Sequence, residues 1–476
     1  MAVHSLHSWL PVARRRVCDG FSGANQGEPE PHADGKALGM LDRMTAGERI
    51  GRTGEAPPAL RILMSAYACE PHRGSEPGIG WHWATRLAQT GHHVCVLTRA
   101  NNRTAIEGVL QASLVPNLRF EYYDLPEWVC RWKNRAGLPR LYYLLWQWGA
   151  YGVARRLCRE DRFDLVHHIT FGVFRLPSFM AFLGLPFVFG PVGGGESAPR
   201  LLRKTFPLRG YVIDLFRDIA NWVVRVDPLM AAVFRRSAAT LCKTGETLQS
   251  IPPRFHDKCL VQVELGTDVG PAAPRPVRGE EEGFRVLYVG RLVYWKGLHL
   301  GLAAFARLLE SRPGATLTVI GNGPDEAWLR DTAQRLGIGH ALNWIPRLEQ
   351  AAVMRAYARH DALLFPSLHD SSGNVVLEAL SSGLPVVCLD AGGPALLVDP
   401  SCGFKVRPGA PQQVVEDLAL SLAALAGDSR LVRSMGEAAF RRAREHFSWE
   451  QQVSRMGRLY QSVCAGSPVG AGGDMR

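Results

Sequence analysis

The sequence predicts an α/β protein of two doubly wound halves facing a cleft, with a C-terminal helix that crosses back onto the first half. Three observations carry this reading. Short apolar, β-branched runs alternate with amphipathic stretches along most of the chain, the pattern of parallel sheets covered by helices. The pattern is interrupted at GTDVGPAAPRPVRGEEEG, a Pro/Gly-rich and charged stretch that reads as a linker over 266–283. At 476 residues, the chain also exceeds one ordinary domain.

Taken in order, residues 1–57 carry seven basic and seven acidic residues and no sustained periodicity. They are expected to be a disordered extension, with Met40 or Met44 as alternative starts, and WLPVARRRVC lacks the apolar stretch of a signal peptide. The first half, 58–265, opens with a buried strand over Leu60–Tyr67 and the loop CEPHRGSEPGIG. A helix over Trp81–Gln89, ended by Gly91, and the strand HVCVLTR complete a βαβ unit. Further strands are expected at LRFEYYDL, DLVHHIT, PFVFGPV and ATLCKT. The second half, 284–445, places strands at FRVLYVG, TLTVIG, LNWIP, ALLFPS and PVVCLD. FSWEQQVSRMGRLYQSV supplies the crossover helix within 446–465, and 466–476 is read as a disordered tail.

Hydrophobic content of 46% with 21% charged residues is that of a globular protein. Ten cysteines without a CxxC pair argue for a reducing cytosol and against a disulfide framework or zinc site. No run of eighteen uncharged apolar residues predicts a spanning helix. The net charge of +11 is concentrated in two segments, 131–159 at +7 and 200–236 at +5, so the rest of the chain is nearly neutral. A local basic surface needs no nucleic-acid partner to explain it.

Ligands of doubly wound sheets bind at the carboxyl ends of strands, where helix N-termini converge. In VGRLVYWKG, Arg291 and Lys296 follow a strand and present two cations suited to a departing diphosphate. Such a pair, taken alone, is more often a solvated loop. In HDSSGNVVLEALSSGLPVV, Asp370 starts a Ser/Gly loop and Glu378 lies on the helix that follows. Backbone N–H groups around Gly373 and Asn374 sit at that helix's positive end. The two acids are placed to accept hydrogen bonds from ligand hydroxyls. In DLVHHIT a strand alternates its faces, so at most one of His167 and His168 should point to the cleft. Gly74, Ser75, Glu76 and Gly78 of HRGSEPGIGW, and Gly194 of GPVGGGE, are candidates for a second ligand's loop. Gly321, Gly323 and Arg347 could frame a nucleobase or simply serve their turns.

Together, GRLVYWKG, VIGNGP, FPSLHDSSGNVVLEALSSGLPVV, AGGP and the terminal FSWEQQ…LY helix resemble the retaining glycosyltransferases of family 4, the group 1 glycosyltransferases, with a GT-B fold of two Rossmann-like domains. The first half matches one subgroup more weakly, through ACEPHRGSEPGIGW and VHHITFGVFRLPSFMAFLGLPFVFGPVGGGE. The resemblance implies a nucleotide-sugar donor whose diphosphate is bound by Arg291 and Lys296, and whose ribose is bound by Glu378. Asp370 would hold hydroxyls of the transferred sugar, with one methylene less than the family's usual Glu. It favours His167, directly after its strand, as a further sugar contact. It implies no metal, the two cations supplying that charge. A glycan or lipid-linked acceptor in cell-surface polysaccharide or glycolipid synthesis follows by the same analogy. The alternatives are another GT-B enzyme, an epimerase or phosphorylase, or a membrane-surface protein that has lost catalysis.

The basic segments fit a cytoplasmic protein peripheral on the inner face of a membrane. Tyr211, Leu215, Ile219, Trp222 and Val226 fall on one helix face, and LPRLYYLLWQW adds aromatic residues. Such a surface can rest on anionic lipid.

Overall fold

The computed structural model describes residues 58–130, 139–268, 270 and 283–467. The extension 1–57, most of the linker, the tail from 468 and the basic residues Arg131, Lys133 and Arg135 lie outside the described residues.

The first half is a seven-stranded parallel sheet: β1 (Arg61–Ser65), β2 (His93–Arg99), β3 (Leu118–Tyr123), β4 (Leu165–His168), β5 (Phe187–Val192), β6 (Ala239–Cys242) and β7 (Cys259–Val261), in the order β3-β2-β1-β4-β5-β6-β7. The second half is a six-stranded parallel sheet: β8 (Arg285–Val289), β9 (Thr316–Ile320), β10 (Leu342–Ile345), β11 (Ala362–Phe365), β12 (Val386–Leu389) and β13 (Gly403–Val406), in the order β10-β9-β8-β11-β12-β13. Each order reverses beside its first strand, at β1/β4 and at β8/β11, and these are the places where such sheets bind ligands. β4, β5, β6, β11 and β12 are buried along their whole length, as strands covered on both faces must be.

Six helices bear on the site and are numbered in chain order: α1 (Ser75–Gln89), α2 (Pro139–Glu160), α3 (Leu208–Val223), α4 (Gln350–Arg359), α5 (Asn374–Ser381) and α6 (Trp449–Cys464). α1 begins six residues before the Trp81 expected from sequence. Its glycines explain the difference. A Cβ on Gly78 would lie 2.0 Å from the Arg73 carbonyl oxygen, and one on Gly80 would lie 2.2 Å from that of Ala68. The close approach that these glycines permit is thus to the chain's own backbone. The edge strands β7 and β13 are additions to the elements expected.

α6 crosses back as anticipated. Trp449 meets the Trp83 ring edge-on at 5.5 Å between centroids, and Gln262 Nε2 donates to Gln452 Oε1 at 2.8 Å. At the junction, the Thr267 N–H donates to Phe447 and the Trp449 N–H donates back to Thr267, at 2.9 and 3.2 Å. No helix among the described residues is long and apolar enough to cross a membrane.

Candidate active site

The loops that leave β8 and β11 meet at the second half's switch point. Lys296, in the turn after β8, forms an ion pair with Asp370, in the loop after β11, and both side chains are less than one-fifth exposed. The other Asp370 oxygen accepts the N–H groups of Ser372 and Gly373 at 3.1 Å each. Burial pushes the Asp370 carboxyl up, but Lys296 and the two N–H groups outweigh it and hold the carboxyl below its usual range. The Gly373 N–H anticipated for a diphosphate is therefore engaged by Asp370 in this structure. Gly373 itself has φ of +76°, and its Cβ position lies 3.0 Å from Leu397 Cδ1, so this entry to α5 favours glycine. Gly392 of AGGP packs on the same loop, where a Cβ would come 2.3 Å from the Asp370 carbonyl oxygen.

Arg291 is exposed, and among the described residues no ion pair involves its guanidinium. Glu378 accepts from Gln350 Nε2 at 2.9 Å and Tyr357 Oη at 2.8 Å, both on α4. Burial raises the Glu378 carboxyl above its usual range, with these two hydrogen bonds opposing the shift. Gln350 and Tyr357 were not anticipated from sequence. Gly321 and Gly323 bring the β9 loop onto the β8 loop: their Cβ positions lie 1.9 Å from the Gly290 carbonyl oxygen and 2.2 Å from that of Leu292. Their packing supports the cationic loop, while Arg347 is exposed beyond β10.

Three glutamates from the first half reach the same loops. Glu196 Oε2 accepts from Ser371 Oγ at 3.1 Å, Glu264 accepts from Ser372 Oγ at 2.6 Å, and Glu246 accepts from the Gly392 N–H at 2.8 Å. Glu264 also pairs with Lys243 at 2.7 Å. Burial acts to raise Glu196, but the hydroxyls of Thr244 and Thr247 and backbone N–H groups, that of Gly194 included, leave its carboxyl below the usual range. Glu76, at the start of α1, is buried and accepts from the Phe171 N–H. Burial raises its carboxyl, opposed first by Lys243. Gly74 caps α1, Ser75 has φ of +60°, and the Gly194 carbonyl accepts from Arg175 at 2.7 Å.

The two histidines of β4 point to opposite sides of the sheet. His167 is fully buried, its Nδ1 2.6 Å from Tyr460 Oη on α6 and its Nε2 2.7 Å from the Gly190 carbonyl oxygen. Burial lowers its pKa to about 4. Both ring nitrogens are engaged within the fold in this structure. His168 faces the other side of the sheet, against Tyr143 and Ser178, and is equally buried.

α3 is amphipathic with its polar stripe inward. Tyr211, Leu215, Ile219 and Trp222 are 46–59% exposed, whereas Asp214 and Asn221 are buried; Val226, expected on the same face, lies beyond the helix end and is also exposed. Asp218 takes both Nη atoms of Arg203, at 2.5 and 3.1 Å. Arg217 Nη1 lies 3.2 Å from His369 Nδ1, Asp214 accepts from Tyr294 Oη at 3.5 Å, and Gly210 packs on the Tyr294 ring. In α2, Tyr142, Tyr143 and Trp146 belong to the core, which leaves Leu141, Leu145 and Trp148 exposed from the aromatic stretch.

Among the described residues, no group of three or more His, Cys, Asp or Glu side chains is arranged to hold a metal ion. A cavity of about 920 Å³ lies between the C-terminal end of α1 and α6, lined by residues such as Arg86, Asp268 and Trp449, away from the strand-end loops.

Two sheets of this order around a cleft define a GT-B fold. Residues 273–442 match the profile of the glycosyl transferases group 1. Glycogen synthase of Mycobacterium tuberculosis is 31% identical over 196 residues, 41% of this chain and 46% of that protein. D-inositol 3-phosphate glycosyltransferase of Nocardia farcinica is 27% identical over 458 residues, 88% and 94% of the two chains. Most of the other curated relatives, like the glycogen synthase, are spanned over about half their length or less. Sucrose-phosphate synthase from Thermosynechococcus elongatus shares the fold with a TM-score of 0.58 at 18% identity, covering 86% of this chain and all of that one. Anabaena HepE, solved with UDP and glucose, does so with a TM-score of 0.54 at 16% identity, covering 85% and 100%.

Proposed function

We propose that this protein is a retaining glycosyltransferase moving a sugar from a nucleotide-sugar donor to a hydroxyl of a glycan or lipid-linked acceptor, in the synthesis of a cell-surface polysaccharide or glycolipid. The observation that carries the reading is the meeting of the Arg291/Lys296 loop with the Asp370/Glu378 loop at the β8/β11 reversal. In this reading, Arg291 and Lys296 face the donor's diphosphate, Glu378 accepts from the ribose, and Asp370 accepts from the transferred sugar. The bond from the anomeric carbon to the donor phosphate oxygen breaks, and its electron pair leaves with the nucleoside diphosphate. The acceptor oxygen bonds to that carbon, and its proton passes to the departing phosphate. Fixed cations beside the leaving oxygen lower the barrier without a metal. Arg347, with the loop of Gly321 and Gly323, borders the nucleobase. Glu76 and Gly194 lie on the acceptor's side of the cleft. The acceptor is met at an anionic membrane surface, to which the protein attaches peripherally.

The test is product formation from a panel of nucleotide sugars with a lipid and glycan extract, with and without EDTA. Transfer that persists in EDTA and is lost in Glu378→Ala supports the reading. Full activity in Glu378→Ala refutes the site, and release of free sugar phosphate from a glycan would favour a phosphorylase.

A further inference from the structure

α3 is built the wrong way round for a helix covering its own domain. A surface helix ordinarily buries its apolar stripe and exposes its charges. Here Tyr211, Leu215, Phe216, Ile219, Trp222 and Val226 face outward, Phe216 at 67% exposure, while Asp214 and Asn221 are buried. The chain around this apolar face is basic: Lys204, Arg209, Arg225, Arg235 and Arg236 are exposed. The acids of the segment are occupied, Asp218 by Arg203 and Asp227 by the N–H groups that it caps. An uncovered apolar face beside unopposed cations complements an anionic bilayer rather than a second copy of itself, whose cations would be repelled.

The inner face points to a second property. Asp214 and Arg217 rest on Tyr294 and His369, and these residues belong to the two loops that carry Lys296 and Asp370. Trp295 stacks on His369 with ring planes 8° apart, so the two loops are joined beneath α3. In water, the exposed stripe contributes no apolar burial to hold α3 in this seat, which rests on its polar face alone. A bilayer that covers the stripe while the polar face stays seated adds apolar burial to that state. A surface that prefers one of two states shifts the population toward it.

We propose that the outer face of α3 docks on an anionic membrane, and that docking holds α3 against the Tyr294 and His369 loops and so tightens the donor site. The coupling rests on the proposed function in one respect, the identity of that site as a nucleotide site.

The experiment uses the full chain with phosphatidylglycerol/phosphatidylcholine vesicles, pure phosphatidylcholine vesicles and no vesicles. It measures co-sedimentation, affinity for UDP, GDP and ADP, and hydrogen exchange over 294–297 and 366–373. Anionic vesicles are expected to bind the protein in a salt-sensitive manner, to tighten the preferred nucleotide about tenfold and to slow exchange in both loops. Phe216→Ser with Trp222→Ser should lose vesicle binding and the tightening while keeping the vesicle-free affinity. Asp214→Asn, with Arg217→Met as a second variant should the first fold poorly, should still bind vesicles but lose the tightening and the loop protection. Absence of vesicle binding, equal binding to neutral vesicles, binding that leaves the loops unprotected, or a dimer that buries α3 would each overturn the proposal. A wild type that binds no nucleotide but shows vesicle-induced loop protection would refute the proposed function and leave standing the docking of α3 and its hold on the two loops.

Discussion

The two halves share a strand order and differ in how they assemble their part of the cleft. In the second half, each loop beside the reversal carries its own chemistry: Arg291 and Lys296 after β8, Asp370 and Glu378 after β11. In the first half, Glu76 follows β1 at the reversal, but the groups that bond the second half's loops come from three strands farther along the sheet, with Glu196 after β5, Glu246 after β6 and Glu264, paired with Lys243, after β7. At its own reversal, His167 is turned into the core. Equal topology therefore does not give equal sites. The sheet order offers a place, and the direction of each side chain at the strand end decides whether the place is used.

The contrast can be broken most directly at Lys296. Lys296→Ala removes a fixed cation and leaves Asp370 without its ion pair, and donor kcat/KM should fall by about 100-fold or more. Near-wild-type kinetics would remove the second half's claim. Tyr357→Phe takes one hydrogen bond from the buried Glu378 and should raise donor KM roughly fivefold to tenfold, at a cost of about 1–1.5 kcal/mol. An unchanged KM would separate Glu378 from the donor. The first half makes the opposite prediction. His167→Asn breaks a buried hydrogen bond to α6 and should destabilise by about 1–3 kcal/mol in denaturant, with kcat changed less than about threefold. A large loss of kcat in a stably folded variant would return His167 to the chemistry.

The smallest effect is in pH. Asp370 has a lowered pKa, so the stability it contributes is present above its ordinary unfolded value and is lost as pH falls through the lowered one. Glu378 has a raised pKa, so it protonates first during acidification, and its folded form is favoured as pH falls through that value. The acid limb of donor binding should lie above the ordinary glutamate range and disappear in Glu378→Gln. Loss of binding only below the ordinary aspartate range would assign it to Asp370 instead.

The strands buried on both faces were legible because such burial leaves continuous apolar runs. β7 and β13 were hidden because they are short edge strands, half-buried over the middle of their length, and so lack the continuous apolar run. The chemistry of the second half was legible because it is local in sequence. Gln350 and Tyr357 were missed because they meet Glu378 from 28 and 21 residues upstream. In α3 the periodicity was readable but its direction was not: a 3.6-residue period marks two faces without naming the inner one. The available signal was the matching stripe of Asp214, Arg217, Asp218 and Asn221, too polar and too regular for a face that only meets water.

The junction of Thr267 with the Phe447–Trp449 turn has a mechanical consequence. The chain passes between the halves twice, and the described ends of those passages are pinned to each other by two backbone hydrogen bonds and a tryptophan ring. Two strings knotted at one point act as a pivot. A widening of the cleft about that point would be an angle rather than a slide, and it would part the Ser371, Ser372 and Gly392 contacts with the first half.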